Sequence, residues 1–595
     1  MRSGRYVASL TVAAAAVALA AIALPAPAGG ATPRVLRVGT WKGIAGTYHS
    51  IQAAVDAANP GDWVLVGPGD WKEVGDFTTH KPAAGKAGWG VTIDKAGLHL
   101  RGMNRNTVVV DGTKAGTPQC SANRADQNFG GSAGRSGIVV DKVDGTYVEN
   151  LTACNFLGQG NQIWWNGGDG SGKVGMGTYW GNYLTATTTY WSASDPAGTY
   201  GIFVSNARGP GSINYTYASN MNDSSYYIGA CPDCNAVLNH PWAEHSALGY
   251  SGTNSGGHLV IENGKWDDNQ SGIVTNSQNN DDAPSPQLGA CPASASTSCE
   301  FFEHNEIFNN NDPNVPQDTG AASAGPVGTG IVIAGGRFDT VRDNYIHDNG
   351  AWGVITTPYP DSEVPPTGIG QNCNGGFTGT QLTPLVGTTG SVPCYFSDWG
   401  NETAHNTFAN NGSFGNPTNG DIADLSTVPP ESPTAPANCW HDNTDSGGTL
   451  SQWPATLQTT QATCGGNVYP DPVSTAVLTA QALCDTDFLS QASPSAPSCT
   501  LPLVAAYPKT TTVTLKPLPS GLAPMPNPCA GVPVNPWCPA PKTVAVAHHP
   551  SAAGRGGSLA GTGLDARLPI GAAAALVAAG ALGLALRRRA GHEEH

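Results

Sequence analysis

Apolar residues along the middle of this chain come in short runs closed by Gly, Asn or Asp. Leu98-His-Leu-Arg-Gly102, Thr107-Val-Val-Val110 and Gly137-Ile-Val-Val140 open the series, and Tyr147-Val-Glu-Asn150 follows. Further runs lie near Gly201-Ile-Phe-Val204, Tyr226-Tyr-Ile-Gly229, Ala247-Leu-Gly-Tyr250, Gly272-Ile-Val-Thr275, Gly330-Ile-Val-Ile333 and Gly353-Val-Ile-Thr356. Runs this short, rich in β-branched residues and bounded by turn formers, predict strands. One stretch is helical instead. Over residues 49–59, Ile51, Ala54, Val55 and Ala58 form one apolar stripe, Ser50 is the N-cap, and Pro60-Gly61 ends the helix.

A second periodicity runs through the strands. Asn305-Glu-Ile307-Phe-Asn309-Asn310 returns as Asn344-Tyr-Ile346-His-Asp348-Asn349 and as Asn406-Thr-Phe408-Ala-Asn410-Asn411, and more loosely as Asn214-Tyr-Thr-Tyr217-Ala-Ser-Asn220. Self-similarity at a few tens of residues predicts a solenoid. Asn tolerates left-handed backbone and bonds its neighbours, so stacked coils would turn these residues into a ladder. A propeller or sandwich would need tight hairpin turns between paired strands, and few Asn-Gly or Asp-Gly turns stand in such places. The segment from Ser50 to Gly69, Ser-Ile-Gln-Ala-Ala-Val-Asp-Ala-Ala-Asn-Pro-Gly-Asp-Trp-Val-Leu-Val-Gly-Pro-Gly, resembles the N-terminal entry of the pectin-lyase-like superfamily. That resemblance implies an all-β fold: a right-handed parallel β-helix over 32–415 with an N-terminal capping helix. A disulfide-stapled C-terminal cap is expected over 416–500. Two Trp- and Cys-bearing stretches, 162–196 and 279–300, read as loops inserted into coils.

The ends carry other signals. Residues 1–31 read as a secretory signal peptide, with Arg2 and Arg5 before an apolar run and small residues ahead of Thr32; an uncleaved anchor is the alternative. Residues 501–558, rich in Pro, Ala and Gly, read as an extended spacer. Residues 559–595 begin with Leu559-Ala560-Gly561-Thr562-Gly563, continue through an apolar span at 569–586, and close with Arg587-Arg588-Arg589. This order resembles the cell-wall sorting signal of Gram-positive bacteria, in the form used by actinobacteria. It implies processing by a sortase between Thr562 and Gly563 and attachment to peptidoglycan, with membrane contact only through the C-terminal span. A plain membrane anchor is the alternative.

The net charge of -16 excludes nucleic acid as a partner. Export makes disulfides the default for the 14 cysteines. The expected pairs are Cys120 with Cys154, Cys231 with Cys234, Cys291 with Cys299, Cys373 with Cys394, Cys439 with Cys464, Cys484 with Cys499, and Cys529 with Cys538. Cys231-Pro-Asp-Cys234 also has redox or zinc spacing, but no second such pair accompanies it.

The superfamily resemblance implies polysaccharide lyases, esterases, hydrolases or epimerases, yet the hydrolase signatures Gly-His-Gly and Arg-Ile-Lys are absent. The densest chemical cluster is His240-Pro-Trp242-Ala-Glu244-His245 with His258, Lys265, Trp266, Asp267 and Asp268 about one coil later. Glu244, His245, His258, Asp267 and Asp268 are the candidate acid–base groups, and Trp242, Trp266 and Lys265 the candidate carbohydrate contacts; the alternative is that the tryptophans cover the core and Asp267-Asp268-Asn269 is a turn. A second cluster, Asp339, Arg342, Asp343, His347 and Asp348, carries carboxylate oxygens of the kind calcium takes, with an Asp/Asn-rich coil turn as the simpler alternative. The expected business is binding or processing a polymeric carbohydrate along a lateral face, with a non-catalytic adhesin or wall protein as the alternative. Gly167 to Lys173 has phosphate-loop spacing, but Val174 stands where Ser or Thr must hold magnesium.

Overall fold

The computed structural model describes residues 32–74, 88–130, 134–231, 233–279, 299–317, 325–361, 373, 376–378, 394–485 and 507–540. The expected signal peptide, the sorting signal with Leu559, Ala560, Thr562 and Gly563, and the apolar span 569–586 lie outside these residues. Among the described residues no helix is long and apolar enough to cross a membrane.

Three parallel sheets, of twelve, eleven and eleven strands, run the length of the molecule. Each coil contributes one strand to each in turn. The coil at Tyr179–Asn182 (sheet 1), Thr185–Thr187 (sheet 2) and Tyr200–Ser205 (sheet 3) stacks on the coil at Gly211–Asn214, Tyr217–Ser219 and Ser224–Gly229. This is the parallel β-helix that the sequence predicts. The runs near 201, 226, 247, 272, 330 and 353 are all strands of sheet 3. Their recurring Gly has a steric cause. A Cβ at Gly272 would stand 2.4 Å from the Gly330 carbonyl oxygen of the next coil, and one at Gly330 would stand 2.5 Å from that of Gly353.

From Thr152–Cys154 to Thr407–Ala409 the middle residue of each sheet 2 strand points inward, in line with Val110 of the strand Val108–Asp111. That column reads Val110, Ala153, Ala186, Ala218, Ala243, Trp266, Ile307, Ile346 and Phe408, all buried. The Asn phrase becomes two internal ladders. Asn305, Asn344, Asn406 and Asn443 pass side-chain hydrogen bonds along one corner at 3.1, 2.9 and 3.0 Å. Asn269, Asn310, Asn349 and Asn411 do so at the next corner at 3.0, 3.1 and 3.1 Å. Asn309, Asp348 and Asn410 take the left-handed turn between them, with φ of 52, 56 and 55°. The loose copy at 214–220 is not part of either ladder: Asn214 lies on the outside of sheet 1, bonded to Asn182. Asn344 satisfies Phe302 O (2.8 Å), Asn406 Oδ1 (2.9 Å) and the Asn305 amide (2.9 Å) with one side chain. Asn344→Ala strands several buried polar groups, so denaturant titration should show a loss of about 3 kcal/mol.

The N-terminal end is closed by the helix Ile51–Ala57, with Ser50 as N-cap and Ile51, Ala54, Val55 and Ala58 buried as expected. Glu73 accepts hydrogen bonds from the Ile51 amide at 2.6 Å and the Ser50 hydroxyl at 3.0 Å, satisfying the helix start. At the other end the stack continues beyond residue 415: Gly420–Asp424, Cys439–His441, Thr444–Asp445 and Gln452–Trp453 all pair in parallel with the coil before. These strands are two to five residues long, and they place Ile422 and Trp440 in the core. The short helix Leu457–Thr460 follows, its Leu457 reaching the solenoid core, and then Pro472–Asp485.

The stretch 162–196 belongs to two successive coils and is not an insertion. Ile163–Asn166, Tyr179–Asn182 and Thr185–Thr187 join all three sheets, Trp165 fills the core, and Trp180 stacks outside on Tyr147. Most of 279–300 lies outside the described residues. Disulfides join Cys120–Cys154, Cys231–Cys234, Cys373–Cys394, Cys439–Cys464 and Cys529–Cys538. Cys299 and Cys484 are disulfide-bonded too, while Cys291 and Cys499 lie outside the described residues. Residues 507–540 are extended, as a Pro-rich segment should be, but they are not free: they lie against the solenoid.

Buried carboxyl groups line part of the core. Burial raises the Glu300 pKa to about 7, against hydrogen bonds from Ser255 and Thr275. Burial and the Glu300 charge raise Asp339 well above the usual carboxyl range. These groups keep protons in the folded state that the unfolded chain has released, so stability falls as pH rises from about 4.5 through about 7. Melting temperature should therefore drop between pH 5 and pH 8. Glu300→Gln should recover on the order of 2 kcal/mol at pH 8 and nothing at pH 4.

Candidate active site on sheet 2

Outward residues of sheet 2 form two columns. Tyr217, Trp242, Lys265 and Glu306 occupy the first; Ser219, Glu244, Asp267, Phe308 and His347 occupy the second. Asp268 follows in the left-handed turn, with φ of 56°. Stacking therefore brings Trp242, Glu244, Lys265, Asp267 and Asp268 together on one outer face.

The carboxylates of Glu244, Asp267 and Asp268 offer oxygens within 4.8 Å of one another. The Trp242 indole N–H donates to Asp267 Oδ1 at 2.9 Å, and Lys265 Nζ stands 3.4 Å from Asp267 Oδ2. Lys265 also lies over the Trp242 ring at 4.5 Å and near Phe308 at 5.1 Å, so its ammonium covers one indole face. The Tyr217 hydroxyl donates to Glu244 Oε1 at 2.5 Å. Burial, then the Glu244 charge, pushes the Tyr217 phenol up, which keeps it a donor. Asp267 is 6% exposed. Burial pushes its pKa up to about 6; Lys265 and the Trp242 hydrogen bond oppose the shift, and Asp268 and Glu244 add to it.

Three of the expected site residues are elsewhere. Trp266 is fully buried, packed edge-on to Tyr226 and Tyr250 in the space that the small Ala243 column leaves, with its indole N–H donating to Asn305 Oδ1 at 3.2 Å. It points inward because strand neighbours alternate. His245 is 3% exposed, its Nδ1 turned 3.1 Å from Asp312 Oδ2 rather than toward the carboxylates. His258 precedes the sheet 1 strand Leu259–Glu262 and lies 3.4 Å from Asp233, at a different corner of the coil. The second cluster is dispersed as well. Asp339 is in the core and Arg342 pairs with Glu303 at 2.6 Å, leaving His347 and Asp348 near the sheet 2 face.

Several solved structures are similar to the chain at low identity. The A-module of a mannuronan C-5 epimerase from Azotobacter vinelandii matches at 14% identity and a TM-score of 0.40, over 68% of this chain and 92% of that one. A polysaccharide lyase of family PL6 from Pseudopedobacter saltans matches at 14% identity and 0.35, over 72% and 88%. A pectate lyase matches at 13% identity and 0.33, over 81% and 90%. No protein-family profile matches the sequence, and no curated protein matches it significantly.

Proposed function

We propose that this is a cell-surface β-helix protein that holds a polymeric carbohydrate along sheet 2 and acts on it by acid–base chemistry of the lyase or retaining-glycosidase type. One observation carries the reading. Asp267, its pKa pushed up to about 6, faces outward between a fixed ammonium and two further carboxylates. Such a group exchanges protons near neutral pH. Its oxygens lie too close to those of Glu244 and Asp268 for the wider carboxyl spacing of inverting hydrolysis. Lys265 supplies a positive charge beside the Asp267 carboxyl, and Trp242 fixes that carboxyl through its N–H.

The three carboxylates also suit a hard divalent cation in donor chemistry. Calcium held by Glu244, Asp267 and Asp268 would neutralise an acidic sugar. Surface attachment rests on the sorting-signal resemblance at 559–595 and is tested by mass spectrometry of wall digests for a fragment ending at Thr562.

The functional test is incubation of the purified protein, with and without calcium, on a polysaccharide panel. Absorbance of unsaturated ends marks elimination, and new reducing ends alone mark hydrolysis. No product from any polymer sinks the enzymatic reading. One feature favours the alternative of a non-catalytic adhesin or wall protein: Lys516 from the C-terminal segment is already paired with Asp268 and Glu244. Binding without product would decide for it.

A further inference from the structure

Residues 507–540 run back along the solenoid, against the direction in which its coils grow. Tyr507 packs on Phe414 near the C-terminal end. The amides of Thr511 and Thr512 donate to Asn314 Oδ1 at 2.8 and 3.1 Å. Lys516 exchanges backbone hydrogen bonds with the Asn220 side chain at 3.0 and 2.9 Å. Leu518 lies on Val109 and the Cys120–Cys154 bridge, on the outside of sheet 2. The Met525 amide donates to Asn150 Oδ1 at 3.0 Å. Finally the Cys529–Cys538 loop presents Trp537 to Trp63, its indole N–H donating to the Ile44 carbonyl at 2.9 Å at the N-terminal end.

The two ends and the middle of this strap are held differently. Buried aromatic rings fix Tyr507 and Trp537, which are 5% and 2% exposed. The middle, 510–526, forms no strand ladder, because its prolines offer no N–H; single hydrogen bonds, mostly to Asn side chains and one from Arg105 to the Ala523 carbonyl, hold it together with the packing of Leu518. Its charged contact is Lys516, whose Nζ lies 2.8 Å from Asp268 Oδ2 and 3.6 Å from Glu244 Oε2. Burial disfavours this ammonium, but the hydrogen bond it donates to Asp268 and the charges of Glu244, Asp268 and Asp267 outweigh burial and keep it protonated.

We propose that residues 510–526 are a releasable cover over the working face, with Lys516 as its catch. The Lys516 ammonium sits where an external cation would sit, so the two exclude one another, and a cation that takes the carboxylates opens the cover. The inference rests on the reading of this face given under the proposed function.

The test is hydrogen exchange on the full chain, with calcium chloride as the probe. Lys516→Ala should speed exchange across 510–526 at least tenfold while the amides flanking Tyr507 and Trp537 and the solenoid strands stay protected. Millimolar calcium should do the same to the wild type, whereas sodium chloride of equal ionic strength should not. Lys516→Arg should keep the cover closed. Lys516→Ala should also bind calcium about tenfold more tightly by titration calorimetry. Calcium binding with unchanged exchange over 510–526, equal affinity in both proteins, or no binding to either overturns the proposal. None of these readouts uses product formation. A cover that opens on a protein without activity sinks the enzymatic reading alone, and activity with a cover that never opens sinks the latch alone.

Discussion

Asp267→Asn is expected to lower kcat on any responsive polysaccharide by at least 100-fold, the usual scale for losing a positioned proton-transfer group. The substitution keeps the carboxamide oxygen that accepts from Trp242, so the melting temperature should hardly move. The pH profile is the sharper measurement. Acting as a base, Asp267 must be ionised, so wild-type kcat/KM should rise with pH and level off above about 6. Asp267→Asn should flatten that limb. Glu244→Gln removes one of the like charges that raise Asp267, and so should shift the limb to lower pH. An unshifted limb in Glu244→Gln, or full activity in Asp267→Asn, would remove Asp267 from the chemistry.

The largest expected effect on stability is at Trp266. This indole is fully buried between Tyr226 and Tyr250, with Ala243 and Ile307 on either side of it in the inward column. Trp266→Ala should cost about 4 kcal/mol in denaturant titration. Trp242→Ala, one coil earlier and half-exposed on the outer face, should cost much less stability while impairing the site, because it releases the Asp267 carboxyl. Equal stability losses at the two positions would contradict their assignment to opposite faces of sheet 2.

These two tryptophans also show what was legible in advance. The phrase Lys265-Trp266-Asp267-Asp268-Asn269 is in register with Glu306-Ile307-Phe308-Asn309-Asn310. Aligned so, Trp266 takes the inward place of Ile307, and Asp267 the outward place of Phe308. That signal was present in the repeat, but the divergent residues at 264–269 hid it among aromatic and charged groups. Phe308 was missed on the same face, and His347 was assigned to a separate cluster, for the same reason: register, not proximity in sequence, puts them in one column with Asp267.

The sequence by itself determined the repeat, and with it the parallel solenoid, the capping helix at Ile51–Ala57, the Asn ladders, and the disulfides whose cysteines lie close in sequence. Those follow from local propensity, turn chemistry and periodicity, which short stretches of chain carry. Only the tertiary structure decided which of the clustered polar residues share a surface. His245 and His258 leave the site because the turns that follow Glu244 and precede Leu259 aim them at other corners. Nor did composition reveal where residues 507–540 go. A Pro-rich segment announces that it is extended, but its contacts depend on acceptors and carboxylates that the solenoid assembles from coils hundreds of residues away.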